Sequence, residues 1–111
     1  MPIGPTAYLV LAALQDGPLH GYAVLQRIQE LVPDERSVPV ATLYATIERL
    51  AHDELLEMVR EEIVDGRARR TYRLTADGRA ALLAESARLA HAASLVKRPV
   101  TVRRVKPAVA R

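Results

Sequence analysis

The amino-acid sequence predicts a mainly α, α+β fold: a winged helix-turn-helix with a two-stranded wing and a C-terminal dimerisation helix. Three observations predict it. Three short stretches of helical periodicity follow one another with turn residues between them. A hairpin signature pivoting on Asp65-Gly66 comes next, and a long Ala-rich helical stretch closes the order. At 111 residues the chain has the length of one domain with a real core, and no internal repeat divides it.

Thr6 is expected to cap a first helix over about residues 7–16, whose run Ala7–Leu14 is apolar nearly all round and therefore central. Gly17-Pro18 stops it. A second helix starts near Gly21 and runs to Val32, with Val24, Leu25, Ile28, Leu31 and Val32 on one face, and Pro33 ends it. A third helix over residues 40–52 buries Leu43, Ile47 and Leu50, at i, i+4 and i+7. Ala41, Ala45, Glu48 and His52 point the opposite way, with Tyr44 on one flank and Thr42 and Arg49 on the other. The hairpin is expected to pair Met58–Val64 with Thr71–Leu74, leaving Arg67, Arg69 and Arg70 at or beside its tip. Thr75 caps a fourth helix reaching about Val96, with Asp77 at the positive end of its dipole. The expected division is a winged helix-turn-helix over 1–75, a dimerisation helix over 76–96 and a disordered or extended basic tail over 97–111.

The formal charge of +3 is an average over unlike parts. Residues 1–96 carry ten basic and thirteen acidic side chains, whereas residues 97–111 carry six basic ones and no acid. With no Cys, disulfides, thiolate metal sites and cysteine nucleophiles are excluded. His20, His52 and His91 stand alone at spacings that build no metal site, so neither metal nor cofactor is expected. No nucleophile is paired with a base and no Gly-rich phosphate loop follows a strand, which argues against an enzyme. The longest apolar run is eight residues without a basic start, too short to span a bilayer, and the expectation is a cytoplasmic protein without a membrane partner.

Leu19-His20-Gly21-Tyr22, then Thr42-Leu43-Tyr44 with Ile47, Arg49 and Leu50, then Gly66–Thr75 with Gly78-Arg79, occur in an order and spacing that resemble the PadR family of winged-helix transcriptional regulators. The resemblance covers about residues 6–90, and the single closing helix is similar to the shorter subgroup of the family. Two positions depart from its pattern. Ala41 stands where Gly often precedes the Thr-Leu-Tyr, and Glu54 stands where Gly is common in the following turn. A left-handed conformation at Glu54 costs on the order of 1 kcal/mol.

The resemblance implies a sequence-specific regulator of transcription, a repressor that blocks promoter access, bound to double-stranded operator DNA. The third helix would enter the major groove. Ala41 and Ala45 on its outward face allow close approach, Thr42 and Tyr44 offer hydroxyls for phosphate, and Arg49 joins them. Tyr44 has a second reading as a half-buried ring packed against the wing. Glu48 reads as a solvated acid in preference to a cytosine contact. Arg67 and Arg69 are assigned to DNA with Arg70 beside them, against the alternative of an ordinary solvated turn that pairs Arg70 or Arg73 with Glu61 or Glu62; Arg73 is left to the ion pair. Tyr22, at the start of the second helix, brings backbone N–H groups near a phosphate, its ring expected against the first helix with the hydroxyl wet.

Leu82, Leu89 and Val96 repeat every seven residues, and with Ala93 they form a stripe for the same helix of a second chain, against the alternative of packing on their own first helix. A two-fold homodimer would set two recognition helices about one DNA turn apart over a palindromic operator. Regulators resembling this family also release DNA when a small-molecule effector binds between the last helix and the body. No pocket for one is legible here beyond Tyr8 as a candidate lining residue, and control by the regulator's own concentration is the alternative. A winged-helix protein-interaction module without specific DNA binding is the competing reading, favoured by the acidic stretch Asp53–Asp65.

Overall fold

In the computed structural model, which describes residues 3–97, seven elements follow in order: α1 (Pro5–Ala13), β1 (Leu19–His20), α2 (Gly21–Leu31), α3 (Val40–His52), β2 (Leu56–Val64), β3 (Arg67–Leu74) and α4 (Ala76–Ser94). The basic tail expected over 97–111 lies outside the described residues except for Lys97. Among the described residues no helix is long and apolar enough to cross a membrane.

α1 is the centre of the fold. It touches α2, α3 and α4, and Ala7, Val10, Leu11 and Ala13 are buried along it, with Leu14 just past its end. Its start differs from the expected one. Pro5 occupies the first turn, where a missing N–H costs nothing, and Gly4 is the N-cap, so Thr6 lies inside the helix and makes no cap bond. α2 and α3 lay Val24, Leu25 and Ile28, and Leu43, Ile47 and Leu50, against α1. Leu56, Tyr72 and Leu82 close the core from the hairpin and α4.

The end of α3 turns on position 54. Leu55 N–H donates to Leu50 O and Glu54 N–H to Ala51 O, the paired bonds that end a helix on a left-handed residue. Glu54 is that residue, at φ 63°, which meets the condition read from the sequence. Asp65 and Gly66 both have positive φ, as the two-residue turn of a twisted hairpin requires.

The sheet has three antiparallel strands in the order β1-β3-β2. β1 is an addition to the expected hairpin, pairing Leu19 with Tyr72 and His20 with Thr71. β2 and β3 pair from Leu56↔Leu74 out to Val64↔Arg67, with an irregularity between Met58 and Arg60. The strands therefore run to the turn itself. Arg67, Arg69 and Arg70 belong to β3 and not to a loop tip, because each finds a cross-strand partner position on β2.

α4 starts on Thr75, whose hydroxyl accepts from Gly78 N–H at 2.9 Å and donates to Glu54 O at 2.7 Å, joining the helix to the turn after α3. A Cβ at Gly78 would lie 1.9 Å from Leu55 O, so only glycine permits this approach. Arg79 reaches Gln15 O at 3.2 Å. Beyond Glu85 no residue of α4 is buried.

Candidate nucleic-acid interface

α3 and the hairpin face each other across an open cleft of about 690 Å³, walled by Tyr44, Ile47 and Glu48 on one side and by Arg67–Arg70 on the other. His20, Gly21 and Tyr22 form one end of it, and Tyr72 also lines it. The structure thus brings Tyr22, Tyr44, Arg67, Arg69 and Arg70 to one concavity, while Ala41, Thr42, Ala45 and Arg49 are exposed along α3 outside the residues lining it.

The N-terminal end of α2 sets the geometry. His20 is its N-cap, the Nδ1 accepting from Ala23 N–H at 3.4 Å, a structural role in place of a metal or catalytic one. Gly21 follows, buried, and a Cβ there would lie 2.4 Å from Tyr44 Cε1 and 2.8 Å from its hydroxyl oxygen. The Tyr44 ring therefore packs on bare backbone and ties α3 to the start of α2. This packs Tyr44 on α2, where the alternative reading had placed it on the wing. Tyr22 departs from its expected position. The buried face of α2 is Gly21, Val24, Leu25 and Ile28; Tyr22, one residue off that stripe, is 59 % exposed, and its ring does not shelter on α1.

Alternation along β3 divides the arginines. Positions 68, 70, 72 and 74 share the face that carries Tyr72 and Leu74 into the core, and 67, 69, 71 and 73 share the other. Arg73 pairs with Glu57 and Arg60 with Glu62 at 3.7 Å. Arg70 donates through Nε to Glu61 at 2.8 Å, and this bond and charge raise its pKa above the ordinary arginine value. Burial raises the Tyr72 pKa, partly offset by Arg70. Arg67, Arg69 and Arg49 have no ion-pair partner among the described residues. No group of three or more His, Asp or Glu there is arranged to hold a metal.

The residues expected at a dimer contact separate. Leu82, 7 % exposed, belongs to the chain's own core, which corrects its place on a partner-facing stripe. Leu89, Ala93 and Val96 are exposed, Val96 two residues past the end of α4. A hollow of about 350 Å³ lies between the N-terminal segment, α2's end and α4, lined by Ile3, Tyr8, Leu9, Val32 and Leu89 among others. At its rim Glu85, 5 % exposed, is clasped by Arg88, which lowers the Glu85 pKa.

Three helices, a β-hairpin folded over the third and an open cleft between them define a winged helix-turn-helix protein. Residues 10–84 match the family described as the transcriptional regulator PadR-like family. That is more than half of the chain, and the chain belongs to this family. It is 44 % identical over 73 residues to the transcriptional regulator Rv3488 of Mycobacterium tuberculosis, a match spanning 66 % of this chain and 64 % of that protein, less than two thirds of the relative's length. Among solved structures it is similar to a PadR family regulator from Clostridium difficile R20291, with TM-score 0.70, 18 % identity, and coverage of 83 % of this chain and 94 % of that one. It is also similar to Bacillus subtilis PadR, solved in complex with operator DNA, with TM-score 0.64, 21 % identity, and coverage of 96 % and 55 %. At these identities the two structures show the fold.

Proposed function

We propose that this protein binds double-stranded operator DNA through α3 and the wing, acts as a homodimer joined through the exposed half of α4, and represses transcription by blocking promoter access. The observation that carries the reading is the exposed face of α3 set beside Arg67 and Arg69, two arginines without an ion-pair partner among the described residues. A helix fits the major groove while cations on a neighbouring ribbon hold the phosphates. Bacillus subtilis PadR, a structure of the same fold, was solved with operator DNA, which supports DNA as the partner here. Thr42, Tyr44 and Arg49 are assigned to phosphate, Ala41 and Ala45 to close approach, and Tyr22 and Arg70 to the cleft between helix and wing.

Gel-shift titration of the DNA upstream of the protein's own gene, across a salt series, tests this. Salt-sensitive binding with preference for a palindrome is expected, at a stoichiometry of two chains per site. Absence of binding at low salt overturns the reading and leaves the protein-interaction module. The hollow beside Tyr8 favours control by a small apolar effector over control by concentration alone, since it borders both the body and α4. Such an effector is expected to raise the thermal midpoint of the native chain and not of Tyr8→Ala.

A further inference from the structure

We infer that Glu61 is a binding-site residue that tunes the sequence-independent affinity of this interface: its carboxylate is the built-in counter-ion of Arg70, competing with DNA phosphate. The inference rests on the DNA-binding reading above.

The hairpin over residues 56–74 carries five arginines and four acids. Three arginines have carboxylate partners, and the pairs do not share one face. Glu57–Arg73 and Arg60–Glu62 lie on the face of the ribbon shared with Arg67 and Arg69. Glu61–Arg70 lies on the face shared with Tyr72, where Arg70 lines the cleft toward α3. Glu48, on the α3 wall of the same cleft, adds its charge in the same sense to Arg70. Arg70 thus meets the Glu61 carboxylate before it meets any ligand, whereas Arg67 and Arg69 have no ion-pair partner among the described residues.

Phosphate contacts supply the sequence-independent part of DNA affinity, through counterions released when cations neutralise the backbone. An arginine already neutralised by its own carboxylate releases none, and that carboxylate repels the approaching phosphate. Binding to arbitrary DNA loses this contribution in full. An operator loses the same phosphate contribution and keeps the base-edge contacts of α3, so a larger share of its binding energy depends on sequence. Stiffening of the ribbon is a weaker reason for the pair, because exposed ion pairs contribute little to stability. Glutamine at 61 keeps the shape and the acceptor oxygen and removes the charge.

The test is fluorescence-anisotropy titration of a short random-sequence duplex, over a salt series, with the full chain and its Glu61→Gln variant. The variant is expected to bind roughly threefold to tenfold tighter at low salt, with a log–log salt slope steeper by about 0.9, the contribution of one phosphate. Glu30→Gln, which takes a carboxylate partner from Arg27 near the end of α2, away from the cleft, is expected to leave the slope unchanged. An unchanged slope in Glu61→Gln overturns the inference alone. An equal gain in Glu30→Gln also overturns it, because overall charge would then explain the effect. If neither the native chain nor Glu61→Gln binds any duplex at low salt, the inference and the DNA-binding reading fall together.

Discussion

The wing and the distal half of α4 both leave the core, and they meet water differently. The wing exposes Met58, Val59 and Ile63, but its exposed positions alternate with acids and arginines tied across the strands. Residues 89–96 contain no Asp, Glu, Lys or Arg, and Leu89, Leu95 and Val96 stand exposed among alanines. One protrusion is well solvated as it is. The other leaves a bare apolar surface with no charge to hold water. The contrast teaches that reach from the core does not assign a role, whereas the chemistry of the reaching surface does.

The largest test strikes the point from which both protrusions depart. Gly78 lies against the Leu55 carbonyl, just before β2. Gly78→Ala is expected to cost about 3 kcal/mol or more in urea unfolding, because backbone must move to admit the methyl. A loss below about 1 kcal/mol breaks the idea of a shared anchor. Next, the two halves of α4 are separated by paired leucines. Leu82→Ala is expected to cost about 3 kcal/mol through its cavity. Leu89→Ala should leave the dilute monomer within about 0.5 kcal/mol while weakening self-association in sedimentation. Self-association that survives Leu89→Ala and Leu95→Ala together would remove α4's distal half as the contact.

On the wing, replacing Arg67 and Arg69 by Ala is expected to flatten the log–log salt slope of DNA binding by about 1.8, two phosphates' worth, with an unchanged unfolding midpoint. The smallest effect concerns the boundary between anchored and bare α4. Arg88 depresses the Glu85 pKa. The stabilisation is therefore present above the unfolded-state value near about 4.3 and is lost as pH falls through the lower folded value. Thermal midpoints measured down the acid limb should fall less steeply for Glu85→Gln than for the native chain.

The parts legible in the sequence are those written locally. α3 spans the residues read for it because Leu43, Ile47 and Leu50 declare a helical stripe, and Asp65-Gly66 announced its turn for the same reason. The length of β3 was hidden, since Arg67–Arg70 carry no apolar alternation and become a strand only by pairing with β2. β1 has two residues, too few for any pattern. Seven-residue spacing placed Leu82 with Leu89, but spacing cannot distinguish the chain's own core from a partner's. At the cleft, the residue types were visible and their partnerships were not. That Arg70 faces Glu61, and Tyr44 faces Gly21, depends on register and helix crossing.

The contact between Gly21 and Tyr44 has a consequence for descent. A ring occupies the space a side chain at 21 would need, so neither position can vary freely while the other stands. A lineage that enlarges residue 21 must shrink residue 44, and the intermediate carries a misplaced α3. The two positions form one inherited character, and under the proposed DNA-binding reading changes of preference have an easier route through the outward residues of α3 than through its tilt.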